Sequence, residues 1–134
     1  QYRVPHWWGH VSNPEETNMM YNCDLNINDG LNGFLFAKLC TDLNERLRLR
    51  RMYLNIQHPG MEGNFHADYG SLTCVYMVSD TLKPNDGSLY LNKQVINFKQ
   101  DRLVVFDAKT PHKGKAPLKG VRVTLAFQCE DINV

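Results

Sequence analysis

The most informative stretch for the fold of this chain is Val121-Arg122-Val123-Thr124-Leu125-Ala126-Phe127. Successive side chains of a β-strand point to opposite faces, so Arg122 and Thr124 share one face while the valines, the leucine and the phenylalanine share the other. An arginine inside an otherwise apolar strand needs an anion. Its planar fork matches a carboxylate, and the Thr124 hydroxyl can add a hydrogen bond to the same group. The stretch therefore predicts a core strand that carries an anion-binding pair.

Further strands are predicted upstream of this one. Residues 72–79, 88–92 and 102–107 are rich in β-branched, aromatic and aliphatic side chains and are separated by turn signals. A long strand begins near Leu47, with one slip of register at Arg50-Arg51. Many short strands preceded by helices predict a mainly β fold with flanking helices. The expected architecture is a double-stranded β-helix core, a cupin-like jelly roll, with N-terminal helices packed outside.

Two helices are predicted before the strands. Asn13-Pro14-Glu15-Glu16 provides an N-cap, a proline at the first helical position and a glutamate at the third, which predicts a short helix from Pro14 to about Asn22. A second helix is predicted over 31–43, because apolar residues recur there at three- and four-residue steps after the Asp29-Gly30 turn signal.

Size and composition fit one compact domain. The chain has 134 residues, of which 43% are hydrophobic, and this is enough for a core of its own. We expect a single domain over 1–134, with an N-terminal helical segment (1–46) and a jelly-roll core (47–129). Lysine and arginine number 15 against 14 aspartate and glutamate residues, so no global charge attracts nucleic acid or a membrane.

The cysteines and the hydropathy pattern predict the compartment. Four cysteines lie far apart without a CxxC pair, which favours reduced thiols and a cytoplasmic location. No apolar run approaches the roughly 20 residues that cross a bilayer. We therefore expect no membrane partner, and we take the protein to be a monomer.

His66, Asp68 and His112 form a candidate metal site. His66 and Asp68 are two residues apart, so in a strand they project the same way and can chelate one ion. His112 follows several predicted strands and can return from the opposite sheet of a jelly roll. Two imidazoles and one carboxylate leave the opposite side of a metal open, as in non-haem iron(II) oxygenases. A bare His-x-Asp is common by chance, so the prediction depends on its combination with Arg122.

Together, His66-Ala67-Asp68, His112 and Arg122-Val123-Thr124 resemble the iron(II)- and 2-oxoglutarate-dependent dioxygenases, over about 47–129. The local spacing is most similar to the prolyl hydroxylase branch. The short chain is similar to small oxygenases encoded by marine phages, and a phage protein would act in the host cytoplasm.

The resemblance implies cofactors and a reaction. Iron(II) would be held by His66, Asp68 and His112, and Arg122 with Thr124 would grip the distal carboxylate of 2-oxoglutarate. Dioxygen would be the oxidant, with ascorbate keeping the iron reduced. The reaction would hydroxylate an unactivated C–H bond of a peptide, by analogy a prolyl residue, or of a small molecule, and release succinate and carbon dioxide.

The same resemblance assigns further residues. His58 stands roughly where prolyl hydroxylase relatives carry a tyrosine that contacts the cosubstrate, and Thr73 and Met77 are expected to line the pocket. Gln128 stands where nucleic-acid repair oxygenases of the superfamily carry a second arginine, which argues against repair of alkylated bases in nucleic acid.

Two questions stay open at the level of sequence. The alternative function is a cupin-like sensor or binding protein that holds a metal without oxidative chemistry and ignores 2-oxoglutarate. The lysines near His112 could attract an acidic substrate or only solvate a loop. They are Lys109, Lys113, Lys115 and Lys119.

Overall fold

The structure is a computed structural model, and it describes residues 6–9, 19–80 and 82–132. The helix in this part of the chain is α1 (Gly30–Leu43). The strands, in chain order, are β1 (His6–Gly9), β2 (Met19–Asp24), β3 (Leu47–Gln57), β4 (Leu72–Met77), β5 (Leu89–Leu91), β6 (Gln94–Ile96), β7 (Leu103–Asp107), β8 (His112–Gly114) and β9 (Arg122–Asp131).

The strands form two antiparallel sheets. The major sheet has six strands in the order β1-β2-β3-β9-β4-β7, and the minor sheet has three in the order β6-β5-β8. This mainly β, double-sheet architecture confirms the predicted cupin-like jelly roll. The predicted slip of register is also confirmed, because the pairing of β3 with β9 shifts between Leu49 and Arg51.

Strand β9 lies in the middle of the major sheet, between β3 and β4. Its alternation sorts the side chains as predicted. Phe127 and Cys129 join the core cluster with Leu39 of α1 on one side of the sheet. Arg122 and Thr124 are each 2% exposed and face a cavity on the other side. A central strand buried on both faces is therefore the element that places the arginine inside the protein.

The second predicted helix is confirmed as α1. The Asp29 side chain accepts a hydrogen bond from the Leu31 amide at 3.1 Å, which caps the first turn. Asn44, in the left-handed region at φ 53°, ends the helix, and its N–H donates to the carbonyl oxygens of Cys40 and Thr41. The buried Leu39 attaches the helix to the major sheet.

The first predicted helix is wrong where the structure describes it. Met19–Asp24 is β2, which pairs with β1 and β3, so the segment 1–46 contributes two strands to the major sheet. The buried Asn22 side chain donates to Asn55 of β3 at 2.7 Å. Residues 14–18 lie outside the described residues. Pairing with other strands outweighs a local capping signal here, because β1 and β3 offer partners for the backbone on both sides of Tyr21 and Asn22.

The cysteines agree with the expectation of reduced thiols. Cys40, Cys74 and Cys129 are free thiols, and Cys23, Cys74 and Cys129 are buried. Over residues 6–9, 19–80 and 82–132, we find no helix with the length and hydrophobicity that crossing a bilayer requires.

Candidate active site

The two sheets bring the predicted metal ligands together. His66 and His112 form an isolated antiparallel bridge, in which the N–H of each residue donates to the carbonyl oxygen of the other at 3.0 and 2.9 Å. The Asp68 amide donates to the carbonyl oxygen of Ala108 at 2.8 Å. Isolated backbone hydrogen bonds therefore hold the segment around Asp68, and this segment does not form the strand that the sequence predicted.

The ligand atoms of the triad converge. Side-chain nitrogen and oxygen atoms of His66, Asp68 and His112 all lie within 4.8 Å of one another. The His112 Nε2 atom is 3.2 Å from Asp68 Oδ2, and the His66 Nε2 atom is 3.7 Å from Asp68 Oδ1. Asp68 and His112 are buried, while His66 is half-buried and faces the open side.

A hydrogen bond at the Nδ1 atom of each histidine ring sets its tautomer. The Nδ1 atom of His66 lies 2.8 Å from the Asn64 carbonyl oxygen, and that of His112 lies 2.8 Å from the Thr110 carbonyl oxygen. Because a carbonyl oxygen only accepts, each Nδ1 carries the proton and donates. Nε2 is then the ring atom that faces Asp68; a proton on it can donate to the carboxylate, and its release frees the lone pair for a metal.

Asp68 is held in position as a carboxylate. The Thr73 hydroxyl donates to Asp68 Oδ2 at 2.8 Å, and Lys109 Nζ donates to the Asp68 backbone carbonyl oxygen at 3.0 Å. Burial raises the pKa of Asp68, but the hydrogen bonds with His112 and Thr73 outweigh it, so the pKa lies below its usual value. Burial also lowers the pKa of His66. A neutral imidazole and an ionised carboxylate are the forms that bind a metal.

The donor set fits a metal with open coordination positions. Among the described residues, these three form the cluster of His, Cys, Asp or Glu side chains that could hold an ion. Two imidazole nitrogens and one carboxylate match the facial set of non-haem iron(II) sites, whereas a structural zinc site closes with four protein ligands.

A cavity of about 370 Å³ lies between the triad and the major sheet. Its floor is the face of the sheet formed by alternate residues of β3 and β9. These residues are Tyr53, Asn55, Gln57, Arg122, Thr124, Ala126 and Gln128. The triad and Arg122 line the same cavity, so the structure brings together the two halves of the predicted site.

Arg122 is buried as a cation without a carboxylate partner. Its Nε donates to the Gly87 carbonyl oxygen at 2.7 Å, and its Nη1 donates to Gln57 Oε1 at 2.9 Å. Its Nη2 is buried and has no hydrogen-bond partner among the residues that the structure describes. Burial lowers the pKa of Arg122 to about 10, against the attraction of Glu62, so the guanidinium stays charged at neutral pH. A buried charge with an unused donor matches an anionic ligand.

Of the other predicted site residues, some lie at the cavity and some lie outside it. Thr124 lines the cavity beside Arg122. Thr73 reaches the site by donating to Asp68, although it does not line the cavity, and Met77 packs in a hydrophobic cluster with Val75. His58 is exposed and contacts the ring of Tyr21, so the structure places it outside the cavity.

Gln57 is the inward-facing residue that the sequence reasoning missed. Strand β3 directs Tyr53, Asn55 and Gln57 to the cavity and ends at Gln57, and His58 does not line the cavity. The alternation of β3 was readable from the sequence and groups Gln57 with Tyr53 and Asn55 on one face, whereas its position opposite Arg122 depends on the pairing of β3 with β9.

Comparison with known proteins relates this architecture to solved structures. No protein-family profile matches the chain, and no curated protein is similar to it in sequence. An oxidoreductase of the 2OG-Fe(II) oxygenase family from Burkholderia pseudomallei is 12% identical, with a TM-score of 0.67 over 95% of this chain and 72% of that one. A viral collagen prolyl hydroxylase from Paramecium bursaria Chlorella virus 1, solved as a 2OG complex, is 12% identical, with a TM-score of 0.70 over 85% and 80%.

Solved structures described as cupins share the fold as well, with TM-scores of 0.55 to 0.59, and so does a predicted decarboxylase. A predicted oxalate decarboxylase from Thermotoga maritima is 13% identical, with a TM-score of 0.63 over 98% of this chain and 99% of that one. At such identities the likeness shows the fold, which is the double-stranded β-helix shared by 2-oxoglutarate oxygenases and cupins. Function has to be argued from the site.

Proposed function

We propose that this chain is an iron(II)- and 2-oxoglutarate-dependent dioxygenase that hydroxylates an unactivated C–H bond of a peptide or small molecule. One observation carries the proposal. The cavity that contains the His66, Asp68 and His112 ligand atoms also contains the buried, charged Arg122 with an unused Nη2. A metal site alone would not require a second charge, whereas a metal site beside an anion site matches a ligand with a chelating end and an anionic end.

The triad would hold the iron. The Nε2 atoms of His66 and His112 and the carboxylate of Asp68 provide three ligands, and the bonds from Nδ1 to backbone carbonyls keep the rings in the required tautomer. The Phe106 ring contacts the His112 ring with centroids 4.8 Å apart, which restrains that ring further. Bound iron would supply the activation of dioxygen, coupled to decarboxylation of 2-oxoglutarate.

Arg122 would receive the distal carboxylate of 2-oxoglutarate. Its Nη2 has hydrogen atoms to donate, and the Thr124 hydroxyl lies on the same face of the strand two residues away. Burial strengthens a charge-assisted hydrogen bond because little water competes for the guanidinium. The arginine thus orients the cosubstrate, while the ligand atoms of the triad face its other end.

The cavity walls would limit access of water. Val75, Leu89 and Ala126 contribute buried apolar surface to the lining. His66 is the most accessible of the three ligands, so a substrate would approach the metal from that side. The Burkholderia oxygenase and the viral prolyl hydroxylase support this proposal through their shared fold and, in the second case, through the 2OG of its complex.

A second candidate is a cupin-like metal-binding protein without oxidative chemistry. The likeness to the predicted oxalate decarboxylase, which extends over nearly the whole of both chains, favours it. Such a protein would bind the metal through the same triad and would not need 2-oxoglutarate.

Replacing Arg122 with alanine separates the two candidates. With manganese(II) as a redox-inert probe, the wild-type protein should bind 2-oxoglutarate in a calorimetric titration, and Arg122→Ala should weaken that binding by about 100-fold or more, because charge-assisted hydrogen bonds are lost. Manganese affinity should stay the same. Arg48→Ala is the matched control, since this side chain is 70% exposed and pairs with Glu130 on the surface.

Activity provides an independent check. Wild-type protein supplied with iron(II), ascorbate and 2-oxoglutarate should form succinate slowly even without a substrate, and proline-containing peptides can then be screened for a gain of one oxygen atom. Absence of both 2-oxoglutarate binding and succinate formation, with metal binding intact, would favour the second candidate.

A further inference from the structure

Gln57 occupies the position beside Arg122 where a charged partner would normally stand. The two residues are directly opposite in the pairing of β3 with β9. Gln57 is 1% exposed, so every polar atom of its side chain must find a partner inside the protein.

The hydrogen bonds of Gln57 leave one orientation for its amide. Its Nε2 donates to the carbonyl oxygen of Met61 at 2.8 Å and to that of Gly114 at 3.0 Å. A flipped amide would place Oε1 against two carbonyl oxygens, which cannot donate. The Oε1 atom therefore has to face Arg122, and it accepts from Nη1 at 2.9 Å.

This arrangement orients the guanidinium without neutralising it. Both acceptors of Arg122, the carbonyl oxygen of Gly87 and the amide oxygen of Gln57, are uncharged. None of the ion pairs of the described residues includes Arg122. A glutamate at position 57 would form a neutral pair with the guanidinium, and an apolar residue would leave Nη1 without a partner and the fork free to rotate.

We infer that Gln57 is a positioning residue that makes the Arg122 site selective for a negatively charged ligand group. It holds Nε and Nη1 on neutral acceptors, so that the net positive charge and the Nη2 donor remain for the ligand. The inference rests on the proposed function in that it identifies this ligand group as the distal carboxylate of 2-oxoglutarate.

The test compares 2-oxoglutarate with its 5-methyl ester, which has the same chelating end and a neutral distal end, and which cannot close a lactam onto its keto group. Calorimetry on manganese(II)-loaded wild-type protein should give at least about tenfold preference for the acid. The isosteric Gln57→Glu should lose about 100-fold in affinity for the acid and much less for the ester, so that the preference disappears. Manganese affinity should be unchanged in each case.

Gln94→Glu is the matched control. Gln94 is an exposed residue of β6 and does not line the cavity. This variant makes the same substitution away from the site, so both the 2-oxoglutarate affinity and the preference for the acid should change by less than about twofold.

In Gln57→Glu the new carboxylate would face two carbonyl oxygens, and this variant could fail to fold. A second variant covers that case. Gln57→Met removes the acceptor without adding charge, and it should weaken 2-oxoglutarate binding by about tenfold while keeping the preference for the acid. Unchanged 2-oxoglutarate affinity in a folded Gln57→Glu or Gln57→Met would overturn the inference. Failure of the wild-type protein itself to bind 2-oxoglutarate would instead overturn the proposed function.

Discussion

Gly114 lies so close to the Arg122 guanidinium that a single methyl group should disturb the anion site. A Cβ atom at Gly114 would be 2.7 Å from Arg122 Nη1, and 3.0 Å from both Arg122 Cζ and Gln57 Oε1. Contacts below 3.0 Å are not tolerated, so the Gly114→Ala substitution has to move the fork or the backbone of β8.

The size of the effect follows from the same contacts. To restore an ordinary 3.4 Å contact, Nη1 would have to retreat by about 0.7 Å, which is enough to weaken its hydrogen bond to Gln57 and the bond from Nε to Gly87. Overpacking of this kind costs about 1–3 kcal/mol. We expect Gly114→Ala to lower the free energy of unfolding by about 2 kcal/mol and to weaken 2-oxoglutarate binding by about tenfold or more.

Two assays on one pair of variants check this prediction. Urea denaturation gives the free energy of unfolding, and calorimetry with the manganese(II)-loaded protein gives the affinity for 2-oxoglutarate. Gly30→Ala is the control, because a Cβ at the start of α1 would meet nothing within 4 Å; its unfolding free energy should stay within about 0.5 kcal/mol of wild type. If Gly114→Ala equalled wild type in both stability and 2-oxoglutarate affinity, a Cβ at this position would not displace the Arg122 guanidinium, and the prediction would be wrong.

Two further substitutions probe the metal ligands and the helix. Thr73→Val removes the 2.8 Å hydrogen bond to Asp68 with little change in shape, so metal affinity should fall by about tenfold in a competition titration; an unchanged affinity would mean that the hydroxyl does not position the carboxylate. Asp29→Ala removes the N-cap of α1 and should cost about 1 kcal/mol in urea denaturation, with metal affinity unchanged because the helix packs on the other side of the sheet. A stability equal to wild type would show that the cap contributes nothing.

Local patterns in the sequence were sufficient for much of the fold. The repeat of apolar residues after Asp29 predicted α1, and the slip at Arg50-Arg51 predicted the irregular pairing of β3. The alternation in β9 predicted that Arg122 and Thr124 share the face opposite Phe127. These features depend on neighbouring residues in the chain, because helix and strand periodicity is a local property of the backbone.

Contacts between distant segments could not be predicted in the same way. Local capping signals predicted a helix up to Asn22, whereas β2 forms because β3 offers it a partner strand. His58 was named because it stands roughly where prolyl hydroxylase relatives carry a tyrosine, whereas the pleat of β3 directs Gln57 to the cavity.

The kinds of residue in the site could be read from the chain alone: a His-x-Asp, a distant histidine and an arginine on an apolar strand. Only the fold shows that their atoms meet in one cavity, that Thr73 supports the carboxylate, and that Arg122 remains a buried cation beside a neutral amide. Residue type and spacing set the face on which a side chain lies, but its charge balance and hydrogen bonds depend on which strands the fold places beside it.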